Sequence, residues 1–115
     1  GEPALDQKNY LIREATDYIR QNLSRGDISL DEIADHLMIS KSYLCRLFQK
    51  NLGISVQQYI YHTRIEQAKE YLNDFRLKIY EVAELTGFNS SPHFNIVFKK
   101  IMRCTPAEYR NGLKQ

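Results

Sequence analysis

Residues 79–110 read IYEVAELTGFNSSPHFNIVFKKIMRCTPAEYR, and residues 30–59 read LDEIADHLMISKSYLCRLFQKNLGISVQQY. The two stretches follow one template. At an offset of 49 residues, Glu32, Ile33 and Ala34 fall on Glu81, Val82 and Ala83. Further on the offset becomes 50, and Ser40, Leu44, Phe48, Lys50, Ser55 and Tyr59 fall on Ser90, Phe94, Phe98, Lys100, Thr105 and Tyr109. The change of one residue lies between the two helices of each unit, where a longer turn is most easily accepted. Each unit reads as a helix, a tight turn and a second helix. Two such units in one short chain imply two like elements reaching for one long, regular partner, and duplex DNA is a partner of that kind.

Working outward, the whole chain reads as all-α. A first helix is expected at about Lys8 to Asn22, where Leu11, Ala15, Tyr18, Ile19 and Leu23 recur at three- and four-residue spacing. The Ser24-Arg25-Gly26-Asp27 cluster ends it. Ser29 with Glu32 three residues on forms a capping-box pattern for a second helix to Leu37, and its acidic first turn suits the helix dipole. Ser40 caps a third helix to about Leu52, closed by Gly53. A longer linker helix follows from Ser55 to about Phe75. Twenty residues at about 1.5 Å each make roughly 30 Å, close to the ~34 Å turn of B-DNA that separates successive major grooves on one face. A fifth helix at Ile79 to Thr86 turns at Gly87, a place for positive φ. Asn89, Ser90 and Ser91 compete to cap a sixth helix to about Met102, with Pro92 in its first turn. Thr105 and Pro106 open a seventh that Gly112 ends.

At 115 residues the chain suits one domain or two small lobes sharing a helix. The expected division is a disordered segment 1–7, a first subdomain 8–54, the linker helix 55–75 and a second subdomain 76–115. The net charge of +2 hides an asymmetry. Residues 1–40 hold four basic against eight acidic side chains, and residues 41–115 hold twelve against six. The positive excess begins with the third helix, which favours a polyanion on one side of the molecule. No apolar run is long enough to span a bilayer. Cys45 and Cys104 form no CxxC pair, which fits a reducing cytoplasm. His36, His62 and His93 lack metal-ligand spacing, so no metal or other cofactor is expected. No Ser/His/Asp or Cys/His grouping, phosphate loop or carboxylate pair supports an enzyme.

A helix-turn-helix needs a small residue where its helices cross, a turn residue, and apolar anchors on the second helix. Ala34 and Ala83 supply the first, and Gly87 supplies the turn, with Met38 in its place in the first unit. Leu44 with Leu47, and Phe94 with Val97, supply the anchors. The run Ile79, Val82-Ala83, Gly87-Phe88, Phe94, Phe98-Lys99-Lys100, Thr105-Pro106 and Tyr109-Arg110 resembles the signature of the AraC/XylS transcription regulators. Phe48, Gly53, Tyr59, Arg64 and Ala68 are similar to the family's first half, so the resemblance covers roughly residues 8–112. It implies a seven-helix DNA-binding domain with two helix-turn-helix subdomains, whose third and sixth helices enter adjacent major grooves. It further implies that one domain can bind an asymmetric site as a monomer. One departure stands out: the family usually has Gly at the position of Arg103, so the turn before Thr105 is expected to be looser or differently shaped.

Carried over by resemblance, the base-facing positions of the third helix are Ser42, Cys45 and Arg46, with Gln49 on the same face. The residues agree, because these remain outside once Leu44, Leu47 and Phe48 turn inward. Arg46 can donate two bonds to guanine O6 and N7, and Gln49 suits adenine. In the sixth helix the corresponding positions are Ser91, Pro92, Asn95 and Ile96. Asn95 suits adenine, and Ile96 offers only an apolar contact with a thymine methyl. This helix is the poorer in long polar side chains, so the second unit is expected to position more than it reads. Ser40, Lys41, Lys50, Lys78, Ser90, Lys99 and Lys100 are the expected phosphate contacts. Arg64 is expected to be structural, and the thirteen Phe and Tyr residues mostly core. The resulting function is sequence-specific promoter DNA binding by a bacterial transcription regulator, by resemblance an activator, acting in the cytoplasm with RNA polymerase as a partner and with an effector or dimerisation domain upstream. An alternative is a helical protein-interaction module that has lost DNA readout.

Overall fold

The computed structural model describes residues 5–113. Among them are seven helices and no strand: α1 (Leu5–Gln21), α2 (Leu30–Leu37), α3 (Lys41–Leu52), α4 (Val56–Leu72), α5 (Ile79–Leu85), α6 (Ser91–Met102) and α7 (Pro106–Leu113). Several boundaries differ by one residue from the sequence expectation, and three differences bear on the fold. α1 starts at Leu5 rather than Lys8, so residues 5–7 of the expected disordered segment are helical and the rest of that segment lies outside the described residues. α4 stops at Leu72 rather than Phe75 because the next amides turn back: Asn73 bonds Glu70 and Asp74 bonds Tyr71, three residues away. The Asp74 carboxylate accepts from the Arg76 amide and fixes that turn (3.1 Å). α7 runs through Gly112, which does not end it.

The chain forms two compact units. The first holds α1, α2, α3 and the start of α4 through Ile60, and the second holds Leu23–Gly26 and the chain from Tyr61 onward. In the first, α1 packs on α2 and α3, burying Ala15, Ile19, Ile33, Ala34, Leu44, Phe48, Val56 and Ile60. In the second, Ile65, Ala68 and Leu72 of α4 meet Val82 and Ala83 of α5, Phe88, and Phe94 and Phe98 of α6 in one core.

The repeat has a structural meaning at each matched position. Glu32 and Glu81 each accept the backbone N–H of the residue preceding their helix, Ser29 and Lys78, at 3.1 Å. Ser40 and Ser90 cap α3 and α6, their hydroxyls accepting the amides of Tyr43 (3.1 Å) and His93 (3.2 Å). Ser55 pairs with Gln58, and Thr105 with Glu108, in reciprocal capping boxes. Phe48 meets Tyr59 edge-on at 5.6 Å, and Phe98 meets Tyr109 the same way at 5.7 Å.

The turns also match. Met38 (φ 59°) and Gly87 (φ 85°) are both left-handed at the equivalent reversal. Gly53 (φ 71°, ψ 12°) and Arg103 (φ 66°, ψ 12°) end α3 and α6 in nearly one conformation. The turn before Thr105 is therefore neither looser nor differently shaped. The helix geometry forces Arg103 into the left-handed region at a cost of about 1 kcal/mol.

The two reversing glycines differ in surroundings. A Cβ on Gly53 would meet nothing, whereas one on Gly87 would overlap the Leu23 carbonyl oxygen and the Arg64 guanidinium. Gly53→Ala should thus cost only about 1 kcal/mol, and Gly87→Ala about 3 kcal/mol or more, because it adds a steric clash and displaced hydrogen bonds to the same backbone strain. Arg103→Gly should stabilise by about 0.5–1 kcal/mol. Urea denaturation of the three variants measures all three values, and equal costs for the two Gly→Ala changes would contradict the packing argument.

Candidate nucleic-acid interface

α3 turns Leu44, Leu47 and Phe48 inward, each at most 3% exposed. At about 100° per residue this leaves Ser42, Cys45, Arg46 and Gln49 on the opposite side, and all four are exposed. The Arg46 guanidinium lies 5.5 Å from the centre of the Tyr43 ring, one turn back on the same helix. That contact restricts the arginine's rotamers, and the side chain stays exposed. The Tyr43 hydroxyl is buried with no hydrogen-bond partner among the described residues. Tyr43 also lines a small cavity of about 20 Å³ with Lys8, Arg46, Leu47, Lys50 and Asn51. Lys41, in the first turn of α3, forms an exposed 3.6 Å ion pair with Asp31. Such a pair is worth at most about 1 kcal/mol, so a phosphate can displace Asp31.

α6 repeats the arrangement. Phe94 and Phe98 are fully buried, and Pro92, Asn95 and Ile96 are exposed, while Ser91 is only half-buried and contributes less of its surface. Ile96 is 66% exposed, unusual for a large apolar side chain. Lys99 and Lys100 stand exposed in the last turn. Lys78 is placed at the start of α5, not on α6, with its ammonium 6.0 Å from the Tyr80 ring centre. The structure thus brings the expected base-reading residues onto the exposed faces of two helices, and puts Lys78 at the N-cap of α5.

Two residues gain roles that the sequence reading missed. Tyr43 was legible from its spacing, three residues before Arg46 on the same helix. His93, exposed in the first turn of α6, meets the rings of Tyr61 (5.8 Å) and Phe88 (5.7 Å) edge-on. Those aromatic contacts come from α4 and the α5–α6 turn, so no local spacing announces them.

Arg64 is structural, as expected from its place on the linker helix. It is 3% exposed. Its Nη1 donates to the Leu23 and Thr86 carbonyls at 2.7 Å, and Nη2 to the Arg25 carbonyl at 3.0 Å. Burial pulls its guanidinium below the ordinary arginine value, an effect opposed by Tyr61. Among the described residues no His, Cys, Asp and Glu cluster is arranged to hold a metal, and no helix is long and apolar enough to cross a membrane.

Two N-capped helices, each with an apolar face in a core and a polar or mixed face outward, paired with shorter helices through a tight left-handed turn, define a duplicated helix-turn-helix DNA-binding protein. Residues 33–112 match a family described as a helix-turn-helix domain. The arabinose operon regulatory protein of Escherichia coli (strain K12) is 35% identical over 113 residues, covering 98% of this chain and 38% of that protein. The xylose operon regulatory protein of the same strain is 34% identical over 100 residues, covering 87% of this chain and 25% of that protein. Among solved structures, the C-terminal domain of AraT, a response regulator from Geobacillus stearothermophilus, matches with a TM-score of 0.85 at 35% identity, covering 89% of this chain and 84% of that one. The chain belongs to the AraC/XylS family of DNA-binding transcription regulators. It spans well under half the length of the two operon regulators.

Tyr43→Phe should leave base discrimination unchanged, since the ring that supports Arg46 is kept. Tyr43→Leu should release the Arg46 guanidinium and reduce discrimination between cognate and point-substituted duplexes by about 0.5–1 kcal/mol, the worth of an exposed cation–π contact. Competition binding between cognate and point-substituted duplexes measures this. Unchanged discrimination in Tyr43→Leu would show that Arg46 needs no support.

Proposed function

We propose that this chain is the promoter-reading part of a longer bacterial transcription activator, with α3 and α6 each inserted into a major groove. The two reading subdomains are 8–54 and 76–115, and the helix in 55–75 joins them. The observation that carries this reading is the equivalence of α3 and α6: same length, same serine cap, Leu44 and Phe48 buried as Phe94 and Phe98 are, and an exposed outward face. Arg46 is the principal reader, donating a bidentate pair to guanine, with Gln49, Ser42 and Cys45 beside it. Asn95, Ile96, Pro92 and Ser91 line the face of α6. Lys41, Lys50, Lys99 and Lys100, the Ser40 and Ser90 hydroxyls and the helix N-termini hold phosphates and set the register, and Lys78 adds positive charge at the start of α5. RNA polymerase and an upstream effector or dimerisation domain are the remaining partners, in the bacterial cytoplasm.

Binding should weaken steeply with salt, because each neutralised phosphate releases counterions; each contact adds about 0.9 to the slope of log K against log salt. Arg46→Ala should lose discrimination of about 1–3 kcal/mol at one or two base pairs. Lys99→Ala should weaken binding to all sequences alike and lower the salt slope by about one. Fluorescence anisotropy with specific and random duplexes over a salt series separates these effects. A flat salt slope would overturn the reading, and equal losses of both variants on both duplexes would overturn the division of roles.

A further inference from the structure

α3 and α6 correspond residue for residue at an offset of 50. Both are twelve residues long, begin after a capping serine and end in a left-handed residue, Gly53 or Arg103. Leu44 and Phe94, and Phe48 and Phe98, are all at 0% exposure, so the two helices are rotated alike on their cores. This alignment places Ser42, Cys45, Arg46 and Gln49 opposite Pro92, Asn95, Ile96 and Lys99. Arg46 and Ile96 therefore occupy the same place on equivalent helices, and they are chemically unlike.

The major groove offers a matching contrast. Guanine presents two acceptors, O6 and N7, and thymine alone presents a methyl group. Ile96 has no donor or acceptor, so it cannot read an acceptor pair. It is 66% exposed on a face whose neighbours are Pro92 and Asn95. Covering it with an apolar group removes surface from water, while placing it against the polar edge of a G·C pair leaves base acceptors and donors dehydrated and unpaired. Asn95, adjacent on the same face, has the geometry to pair with adenine N6 and N7.

We propose, resting on the DNA-binding reading above, that α6 is a reader of A·T pairs. Ile96 packs on a thymine C5-methyl and Asn95 pairs with an adenine, at the place in its half-site where Arg46 holds a guanine in the other. The second unit then reads bases as well as positioning the chain. The two half-sites differ in composition, and the domain binds in one orientation, because reversal would set Arg46 against a methyl and Ile96 against guanine acceptors.

The test uses the full 115-residue chain and a duplex selected from a random pool. Each thymine is replaced in turn by deoxyuridine, which lacks only the C5-methyl. One substitution in the half-site contacted by α6 should weaken binding about four-fold, the worth of one buried methyl-sized group. Ile96→Ala should abolish that penalty, and repeating the selection with Ile96→Arg should change the preferred base there from thymine to guanine. Circular dichroism melting checks that both variants fold, as an exposed position predicts. Salt-dependent binding with no deoxyuridine penalty in that half-site would overturn the proposal and leave the DNA-binding reading standing. So would a penalty that persists in Ile96→Ala. Absence of salt-dependent binding to any duplex would overturn both.

Discussion

Three main-chain carbonyls converge on the buried guanidinium of Arg64, and the second unit is organised around that convergence. Leu23 and Arg25 follow the end of α1, and Thr86 follows the end of α5. Helix C-termini carry unsatisfied carbonyls and partial negative charge, and one planar cation with five donors satisfies several of them at once. The guanidinium reaches them only because Gly87 has no side chain: the space of its Cβ is already occupied by Arg64 and the Leu23 carbonyl. Gly26 is held the same way, its Cβ position overlapped by the Asn89 side chain. The turn of the second helix-turn-helix is thus built over an arginine. Phe88, immediately after the glycine, lies against the same guanidinium at 5.9 Å.

Arg110 repeats the device at the end of α4. Its guanidinium donates to the carbonyls of Leu72, Leu77 and Asp74, and stacks over Phe75 at 5.6 Å. The buried Arg64 guanidinium donates to carbonyls and so escapes the problem of a buried ion pair, where two charges must be desolvated together, while Arg110 is only partly buried. They also bind chain segments distant in sequence: Arg64 spans 41 residues to Leu23, and Arg110 spans 38 to Leu72. Small helical lobes have limited core. Such clamps hold their connecting loops in one conformation without adding apolar volume.

What the sequence made legible was the local chemistry. Caps at Ser29, Ser40 and Thr105, the anchors Leu44, Leu47 and Phe94, and the turn at Gly87 all act within a few residues. Their patterns are short-range, and the structure bears them out. Of the three candidates Ser90 caps α6, and Val97 is only partly buried while Phe98 fills the core beside Phe94. The expected Ser55–Phe75 linker is too long because the amides of Asn73 and Asp74 turn back on Glu70 and Tyr71, and because Arg110, far along the chain, takes the carbonyls of Leu72 and Asp74. The Arg103 turn was misjudged for a related reason. A residue's preference argues against a left-handed φ, but the packing of Phe98 and the capping of α7 outweigh about 1 kcal/mol of backbone strain. The stacking of Arg46 on Tyr43 was available from spacing alone. The rings around His93 were not.

Duplication followed by divergence explains why scaffold and reading face obey different rules. Positions matched between the units are those a helix-turn-helix cannot do without: N-caps, the two buried anchors, the Phe–Tyr edge contact and the left-handed turns. Changing any one costs stability in its own unit, so both copies keep them. The outward positions carry less of that cost, because Ser42, Cys45, Arg46, Gln49, Pro92, Asn95 and Ile96 are exposed. Arg46 and Ile96 can therefore differ as much as two side chains can, on helices that are otherwise interchangeable. Two copies with identical faces would demand a repeated half-site and would bind it in registers shifted by one unit. Unlike faces remove that degeneracy, since each misplacement sets a guanidinium against a methyl or an isoleucine against unpaired acceptors. Specificity in such a domain grows from the mismatch between its halves, and the stability of each half leaves that mismatch free to vary.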